Sequence, residues 1–473
     1  MLVHLAPTRD QAAPIYLQLY QRLREAIADG RVQPGERVPS VRALASELNL
    51  ARGTVEAAYQ LLIGEGYLLP RGPAGTVVSP QLPQTPAGTG VSTKPRTRPA
   101  ASERSPREAL PFQLGLPALD AFPRKLWSRL GARHLRQLAS TDLDYPDAQG
   151  LATLRRSLVR YLGVSRGIAC EPRQVFITAS YRSSLLLIRQ ALLKTGDSCW
   201  FEDPGYFKAR EALEGVDLQL IPVPVDDQGL CVDEGRRLAV DARCALVTPS
   251  HQSPLGVSLS LPRRLALLEW AQASQAWIVE DDYDSEYRYV GRPLPALKSL
   301  DHHGRVLYCG TFSKVLFPGL RLAYLVVPPE QVERFAACAR TFDHGCPALP
   351  QAITADFLDQ GHFARHLKRM RALYAERRGF LATALAQVFG SALRVELQAG
   401  GIHLLARLDA SQDDVALAAR AQGAGLAVMA LSQWSRKYPS GSGLLLGFTN
   451  IASAEQALHL ARRLATALDQ DAR

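Results

Sequence analysis

The sequence predicts an α/β protein with two folded parts: a small helical module with a wing, and a large domain built on a mainly parallel sheet. Residues 12–79 contain three short helical patterns and then two short extended segments. From about Leu110 onward, near-continuous apolar segments of strand length alternate with helical patterns, which is typical of a buried parallel sheet. The intervening residues are rich in Pro, Thr, Ser, Gly and Ala and cannot bury a core. The predicted domains are therefore residues 1–80 and 111–473, joined by a flexible linker over 81–110.

The composition excludes a membrane protein and a disulfide-stabilised secreted protein. No apolar stretch approaches the roughly 20 residues of a membrane span, and the N-terminus lacks the features of a secretion signal. The seven cysteines stand singly, so neither a disulfide framework nor a zinc site is expected. His362 and His366, at helical spacing, are expected to form a packed or solvated helix face rather than a metal pair. We expect a cytoplasmic protein without a bound metal.

Each helical pattern of the small module has its own start and stop signals. The first runs from Pro14 to Asp29, where Pro suits a first turn and Gly30 suits the stop. Ser40 is a plausible cap for the second, and the third spans about 52–65. Residues 67–69 and 76–78 then form a two-stranded wing around a glycine-rich turn. Two short helices joined by a short turn and followed by a hairpin describe a winged helix-turn-helix.

This module resembles the GntR family of bacterial regulators over residues 12–79, through Val38-Pro39-Ser40-Val41-Arg42, Ala51-Arg52-Gly53-Thr54-Val55 and Glu65-Gly66-Tyr67-Leu68. The resemblance implies that the chain binds double-stranded operator DNA. The net charge of +10 adds little to this, because residues 1–80 hold eight Arg against seven Asp or Glu, a net of +1. A three-helix module that binds protein is the alternative. The predicted DNA-contacting residues are Arg52 and Thr54 at the start of the recognition helix, Arg42 before it, and Arg71 and Gly72 in the wing.

The motifs with chemical potential in the large domain follow apolar strands. Ligands of such sheets sit at the carboxyl ends of the strands. There, Asp281 follows the strand 277–279, and Ser313 and Lys314 follow the strand 306–308. An amine able to form a Schiff base, a carboxylate for a pyridinium nitrogen, and the hydroxyls and guanidinium of Thr311, Ser313 and Arg321 for a phosphate together suit pyridoxal 5'-phosphate (PLP).

Over residues 111–473 the chain resembles the fold-type I aminotransferases, and with the winged module it resembles the MocR subfamily of GntR regulators. The segments that carry this are Tyr145-Pro146-Asp147, Glu202-Asp203-Pro204-Gly205-Tyr206, Thr248-Pro249-Ser250-His251-Gln252, Glu280-Asp281-Asp282-Tyr283 and Gly400-Gly401-Ile402-His403. The resemblance implies that Lys314 forms the Schiff base and that Asp281 pairs with the ring nitrogen. It further implies that Tyr283 bonds the ring's phenolic oxygen, that Ser313 and Arg321 hold the phosphate, and that a homodimer forms.

The same resemblance gives weaker assignments to other cofactor-binding residues. Thr311 and the backbone amides near Ser180 and Tyr181, at a helix start, are expected to assist with the phosphate. Tyr206 is expected to stack on the ring, and Tyr145 to reach the phosphate of a partner subunit.

Three positions depart from the aminotransferase pattern. Ser180 stands within a phosphate loop that is usually glycine-rich, and Ser253 replaces an asparagine beside the ring oxygen. Leu445 stands where an arginine usually binds the substrate carboxylate, and burying a carboxylate beside leucine costs several kcal/mol.

We therefore expect a regulator that senses PLP, or an amine or amino acid, through a Schiff base at Lys314, and that controls vitamin B6 or amino-compound metabolism. A working aminotransferase with an accessory DNA-binding head is the alternative. A third possibility is a DNA-binding protein that uses its large domain only to dimerise.

Overall fold

A computed structural model describes Pro7 and residues 13–82, 109–291, 294–342 and 345–469. The chain forms two compact units, Met1–Ser105 and Pro106–Arg473. Most of the predicted linker, residues 83–108, lies outside the described residues. No helix within the described part of the chain is long and apolar enough to cross a membrane. The predicted α/β fold, with a winged helix-turn-helix before an aminotransferase-like domain, is confirmed.

The first unit contains the three predicted helices and a small antiparallel sheet. Its elements are α1 (Ile15–Ala28), β1 (Arg37–Val38), α2 (Val41–Glu47), α3 (Arg52–Gly64), β2 (Leu68–Pro70) and β3 (Thr76–Val78). Ser40 caps α2, because its hydroxyl accepts a hydrogen bond from the amide of Ala43 at 3.2 Å. The prediction of a two-stranded wing was incomplete, since β1 pairs with β3 and gives the sheet order β1-β3-β2.

An apolar core joins the helices of this unit. Leu19, Leu23, Leu44, Val55 and Leu62 are at most 1% exposed and pack together. The hydroxyl of Tyr59 on α3 donates to the carbonyl of Pro39 at 2.9 Å. These contacts fix α3 against the segment that leads into α2.

The second unit is built on an eight-stranded sheet with the order β4-β11-β10-β9-β8-β5-β6-β7. The strands are β4 (Val175–Thr178), β5 (Ser198–Asp203), β6 (Gln219–Asp226), β7 (Gly229–Leu230), β8 (Cys244–Val247), β9 (Trp277–Asp282), β10 (Val306–Thr311) and β11 (Ala323–Val326). Strands β6, β5, β8, β9 and β10 run parallel, whereas β11 is antiparallel to both β10 and β4. The predicted mainly parallel sheet is thus observed, and the predicted strands 277–279 and 306–308 are present within β9 and β10.

Helices cover both faces of the sheet, and a second sheet lies toward the C-terminus. The helices are α4 (Arg124–Arg136), α5 (Ala152–Arg166), α6 (Tyr181–Leu192), α7 (Phe207–Glu214), α8 (Val232–Leu238), α9 (Leu261–Ala273), α10 (Val332–Phe342), α11 (Ala348–Asp359), α12 (His362–Phe389), α13 (Asp414–Gly423) and α14 (Ala454–Leu468). The second sheet has the order β12-β13-β15-β14, from β12 (Arg394–Glu396), β13 (His403–Arg407), β14 (Met429–Ala430) and β15 (Gly443–Gly447).

Candidate functional site

Lys314 follows β10 at the carboxyl end of the parallel sheet, where its amine is hydrogen-bonded to a backbone carbonyl. Nζ donates to the carbonyl of Gly115 at 2.7 Å. Gly115 has φ +69° and a Cβ there would overlap Nζ, so only glycine leaves room for this contact. Burial, followed by the positive charge of Lys208, lowers the pKa of Lys314 to about 8. A larger fraction of this amine than of a solvated lysine is therefore neutral and nucleophilic near neutral pH.

Asp281 lies on the neighbouring strand β9. The prediction that it follows the strand 277–279 was wrong, because β9 continues three residues further, to Asp282. Burial raises the pKa of Asp281 to about 8, the interaction with Tyr181 opposes the rise, and the charges of Asp282, Glu202 and Asp284 add to it. The hydroxyl of Tyr181 is buried beside Asp281 but makes no well-formed hydrogen bond with any described residue. A buried carboxyl surrounded by acids suits a cationic partner, and a tyrosine hydroxyl with spare hydrogen-bonding capacity suits a polar ligand.

Tyr283 belongs to a hydrogen-bonded group with two residues that the sequence analysis did not assign to the site. Its hydroxyl lies 3.0 Å from Nδ1 of His251. The same Nδ1 lies 3.2 and 3.1 Å from the two carboxylate oxygens of Asp284. Burial is the main cause that raises the pKa of Tyr283 well above its ordinary value. The charge of Asp284 also acts on Lys314 and raises its pKa, so this group lies within electrostatic reach of the lysine.

The residues predicted to hold a phosphate surround the start of α6 and the end of β10. Ser180 caps α6, with its hydroxyl accepting from the amide of Ser183 at 3.1 Å. The amide of Ser313 donates to the Thr311 hydroxyl at 3.1 Å. Arg321 has a left-handed backbone with φ 54°, and its exposed guanidinium makes no hydrogen bond or ion pair with any described residue. A free cation next to a capped helix start suits an anionic group.

The two tyrosines with weaker assignments differ in their surroundings. Tyr206 precedes α7, and its ring centroid lies 6.0 Å from that of Trp434 in a tilted arrangement. Burial raises the pKa of Tyr206 to about 12. Tyr145 is 88% exposed in the single chain. Its predicted role, reaching the phosphate of a partner subunit, stays a prediction.

The position of the missing arginine is fully apolar. Leu445 is 0% exposed at the centre of β15, with β13 on one side and β14 on the other. It packs in a cluster with Leu255, Leu405, Leu431 and Trp434. Ser253, which stands where aminotransferases usually have an asparagine, interacts with Tyr283 and partly offsets the rise in the pKa of that tyrosine.

Two further features concern metals and cavities. No group of three or more potential metal-binding side chains occurs within the described residues. His366 is buried, and its Nε2 donates to the carbonyl of Val315 at 3.0 Å, which agrees with a packed helix face. A cavity of about 890 Å³ lies beside α5 and α12, but none of the predicted cofactor residues lines it.

Four of the five predicted DNA-contacting residues are exposed on the first unit. Arg52 is the first residue of α3, Arg42 lies in the first turn of α2, and both are exposed. Thr54 is half-buried, and Arg71 and Gly72 are exposed in the wing. The guanidinium of Arg37, on β1, lies against Gly75 of the wing and was missed by the sequence analysis because β1 was not predicted.

Two family models match the chain. Residues 15–78 match the bacterial regulatory proteins of the gntR family, and residues 121–437 match aminotransferase class I and II.

Whole-chain relatives and a solved structure agree with these matches. The chain is 37% identical to the probable rhizopine catabolism regulatory protein MocR of Rhizobium meliloti, over 94% of this chain and 92% of the relative. It is 34% identical to the pyridoxine biosynthesis transcriptional regulator PdxR of Corynebacterium glutamicum, over 91% of each chain. The crystal structure of Pyrococcus horikoshii kynurenine aminotransferase in complex with PMP superposes with a TM-score of 0.70 at 26% identity, over 78% of this chain and 92% of that one.

Proposed function

The chain belongs to the MocR subfamily of GntR-family bacterial transcriptional regulators, and from this premise we propose that its large domain binds PLP at Lys314 and thereby changes the affinity of the winged module for operator DNA. One observation carries the proposal. A DNA-binding head shares a chain with a domain in which a desolvated lysine and a buried aspartate lie at the carboxyl ends of the adjacent strands β10 and β9, and a buried tyrosine hydroxyl, that of Tyr181, interacts with the aspartate. A domain used only for dimerisation has no need of such costly buried groups.

PLP supplies an aldehyde that condenses with amines and a ring that withdraws electrons. Lys314 is suited to the first property because burial keeps part of its amine unprotonated. Asp281 is suited to the second, since a protonated ring nitrogen is the cation that would hold its buried carboxylate ionised. Arg321, Ser313, Thr311 and the amides at the start of α6 would hold the phosphate.

The apolar surroundings of Leu445 support PLP itself, or a simple amine, as the signal. A substrate carboxylate at that position would be buried without a cation, at a cost of several kcal/mol. The similarity to a regulator named for pyridoxine biosynthesis favours genes of vitamin B6 supply. The similarity to a regulator named for rhizopine catabolism keeps an amino compound as the second candidate effector. Because an amino-acid carboxylate beside Leu445 would be buried without a cation, we do not assign sustained transamination of ordinary amino acids to the domain.

Regulation then follows from differential binding. A ligand changes DNA affinity only if it binds the DNA-competent arrangement of the protein with a different free energy from the alternative arrangement. Occupancy of the lysine would provide that difference, and a homodimer would read two half-sites.

The test is a titration of full-length protein with a duplex selected from a random library, at fixed salt, with and without PLP. We expect PLP to change the dissociation constant by about 5-fold or more, which is the lower end of ordinary allosteric coupling. A panel of amines and amino acids added to the PLP-loaded protein identifies any further effector, and appearance of keto-acid product would favour the aminotransferase alternative.

Two variants serve as controls. Lys314→Ala should keep its DNA affinity but lose both the response to PLP and the visible absorbance of bound PLP. Arg52→Ala should lose DNA affinity, whereas Arg31→Ala should not, because Arg31 already pairs with Asp29 at 3.0 Å. Equal affinity of the wild type with and without PLP, despite PLP uptake, would refute the proposed signal.

A further inference from the structure

The contacts of His251 determine which of its ring nitrogens carries hydrogen. Nδ1 faces both carboxylate oxygens of Asp284, at 3.1 and 3.2 Å. A carboxylate only accepts hydrogen bonds, so an unprotonated Nδ1 there would oppose two lone pairs. Nδ1 therefore carries hydrogen and donates toward Asp284.

The other ring nitrogen is arranged to accept. Nε2 is buried without a hydrogen-bond partner among the described residues, and Gly401 packs so closely that a Cβ there would overlap the ring. Ser250, Ser285 and Arg288 join His251 around a cavity of about 20 Å³, and each also has a buried polar atom without a partner in the described structure. That volume suffices for one water, which needs about 10–15 Å³. Such a water would donate to Nε2 and serve the neighbouring polar atoms.

This arrangement fixes the direction of the hydrogen bond at Tyr283. The Tyr283 oxygen lies 3.0 Å from Nδ1, whose hydrogen is directed at Asp284 and at this oxygen. Because that oxygen accepts from His251, its own hydrogen has to point away from the imidazole.

We propose that His251, oriented by Asp284, is a positioning residue that makes Tyr283 donate its hydroxyl hydrogen to the phenolic oxygen of the bound cofactor. The inference rests on the proposed function, because it assigns a role toward PLP. It adds a second layer of residues, His251 and Asp284, behind Tyr283. His251 lies 32 positions before Tyr283 and 33 positions before Asp284 in the chain.

Several charged groups surround this layer. Asp284, Asp281 and Glu202 act on Tyr283, and Asp284 and Asp281 act on Lys314. His403 lies with its ring centroid 5.8 Å from that of His251. Burial, together with His251, lowers the pKa of His403 to about 4, so this imidazole is neutral near neutral pH and above.

The test is a spectrophotometric pH titration of the PLP-loaded, full-length protein. A hydrogen bond donated to the phenolic oxygen draws negative charge away from that oxygen. The nearby nitrogen that joins Lys314 to the cofactor is then less stabilised in its protonated form, so its pKa is lower. Tyr283→Phe should therefore raise the titration midpoint. His251→Gln and Asp284→Asn should raise it in the same direction by about 0.4–1 pH unit, the size of one ordinary hydrogen bond.

Rescue and independence distinguish positioning from a general structural effect. His251→Asn places an amide near the former Nδ1 and should restore the midpoint, whereas the amide of His251→Gln lies near Nε2. His403→Gln is the matched control, because His403 bonds the carbonyl of Pro254 through Nε2 and should leave the midpoint unchanged. In a Tyr283→Phe background, adding His251→Gln should give no further shift.

Each outcome bears on one claim. Wild-type midpoints in both His251→Gln and Asp284→Asn would overturn the positioning role, as would an equal shift from His403→Gln or an additive shift in the double variant. Should His251→Gln fail to fold, as judged by circular dichroism, Asp284→Asn decides alone. Failure of the wild type to bind PLP would instead overturn the proposed function.

Discussion

Individual buried acids distinguish the large domain from an ordinary structural scaffold. Burial raises the pKa of Asp281 to about 8, and it raises those of Glu202 and Glu280 to about 7. Glu280 accepts hydrogen bonds from the amides of Leu297 and Lys298, each at 2.8 Å, and so stabilises a neighbouring loop. Asp281 differs because it borders the candidate cofactor site.

The raised pKa of Asp281 predicts a pH dependence of stability in the cofactor-free protein. The pKa is 3.8 in the unfolded reference and about 8 when folded, so the folded state binds more protons between those values. Stability therefore falls as the pH rises through this window. Asp281→Asn should make the plot of unfolding free energy against pH less steep, by up to about 1.4 kcal/mol per pH unit.

Thermal unfolding between about pH 5 and pH 8 measures the effect. The Asn variant should unfold at a higher temperature than the wild type at the upper end of the range. The exposed Asp241 provides a control in Asp241→Asn, which should follow the wild type. Parallel curves for wild type and Asp281→Asn would contradict the assignment.

Among the elements, α6 carries a conflict between helix capping and ligand binding. The Ser180 hydroxyl caps the helix by accepting from Ser183, at the point where a phosphate would need the free amides. Ser180→Ala should lower stability by about 1 kcal/mol, while Ser180→Gly should cost only a few tenths. The Gly variant should also bind PLP at least as tightly as the wild type, because the backbone gains space.

Fluorescence titration with PLP, alongside thermal unfolding, separates the two effects. Ser183→Ala isolates the contact between the two hydroxyls, since it removes the 2.9 Å hydrogen bond between the Ser183 and Ser180 hydroxyls but keeps the Ser183 amide that the cap accepts from. Weaker PLP binding by Ser180→Gly would argue that the hydroxyl contacts the phosphate directly.

The elements that the sequence predicted best are those with strong local signals. The strands Trp277–Asp282 and Val306–Thr311 begin with near-continuous apolar runs, and Ser40 is a recognisable cap. Strand β1 has only two residues and depends on pairing with β3, so no periodicity reveals it. The contact between His251 and Asp284 joins segments 33 residues apart, and only the parallel alignment of β8 and β9 brings them together. Both residues belong to visible motifs, since Asp284 directly continues the run Glu280-Asp281-Asp282-Tyr283, but the sequence did not show that the two side chains meet.

At the scale of the whole molecule, Tyr145 is the residue whose predicted role in cofactor binding depends on a second subunit. Its 88% exposure fits a side chain that completes the site of a partner subunit. We predict that mixing Lys314→Ala with Tyr145→Ala, under conditions of subunit exchange, restores high-affinity PLP binding at one site per mixed dimer. Each variant alone should bind PLP weakly.

Equilibrium dialysis with PLP measures that restoration. Mixing Lys314→Ala with Tyr206→Ala is the control. Tyr206 and Lys314 are expected to serve the same subunit's site, so each site of that mixed dimer lacks one of the two side chains and PLP binding should not be restored. If Tyr145 acts within its own subunit, the two mixtures should behave alike. A monomer in sedimentation velocity would exclude the partner role altogether.

The hydrogen bond between Nζ of Lys314 and the Gly115 carbonyl connects chemistry to chain geometry. An amine that becomes bonded to carbon loses N–H donors. An adduct at Lys314 would therefore change the hydrogen bond from Nζ to the Gly115 carbonyl. Gly115 lies only a few residues beyond 81–110, the stretch that leads back to the DNA-binding unit. A reaction at Lys314 would therefore act first on the start of the large unit, the part that follows the linker in sequence.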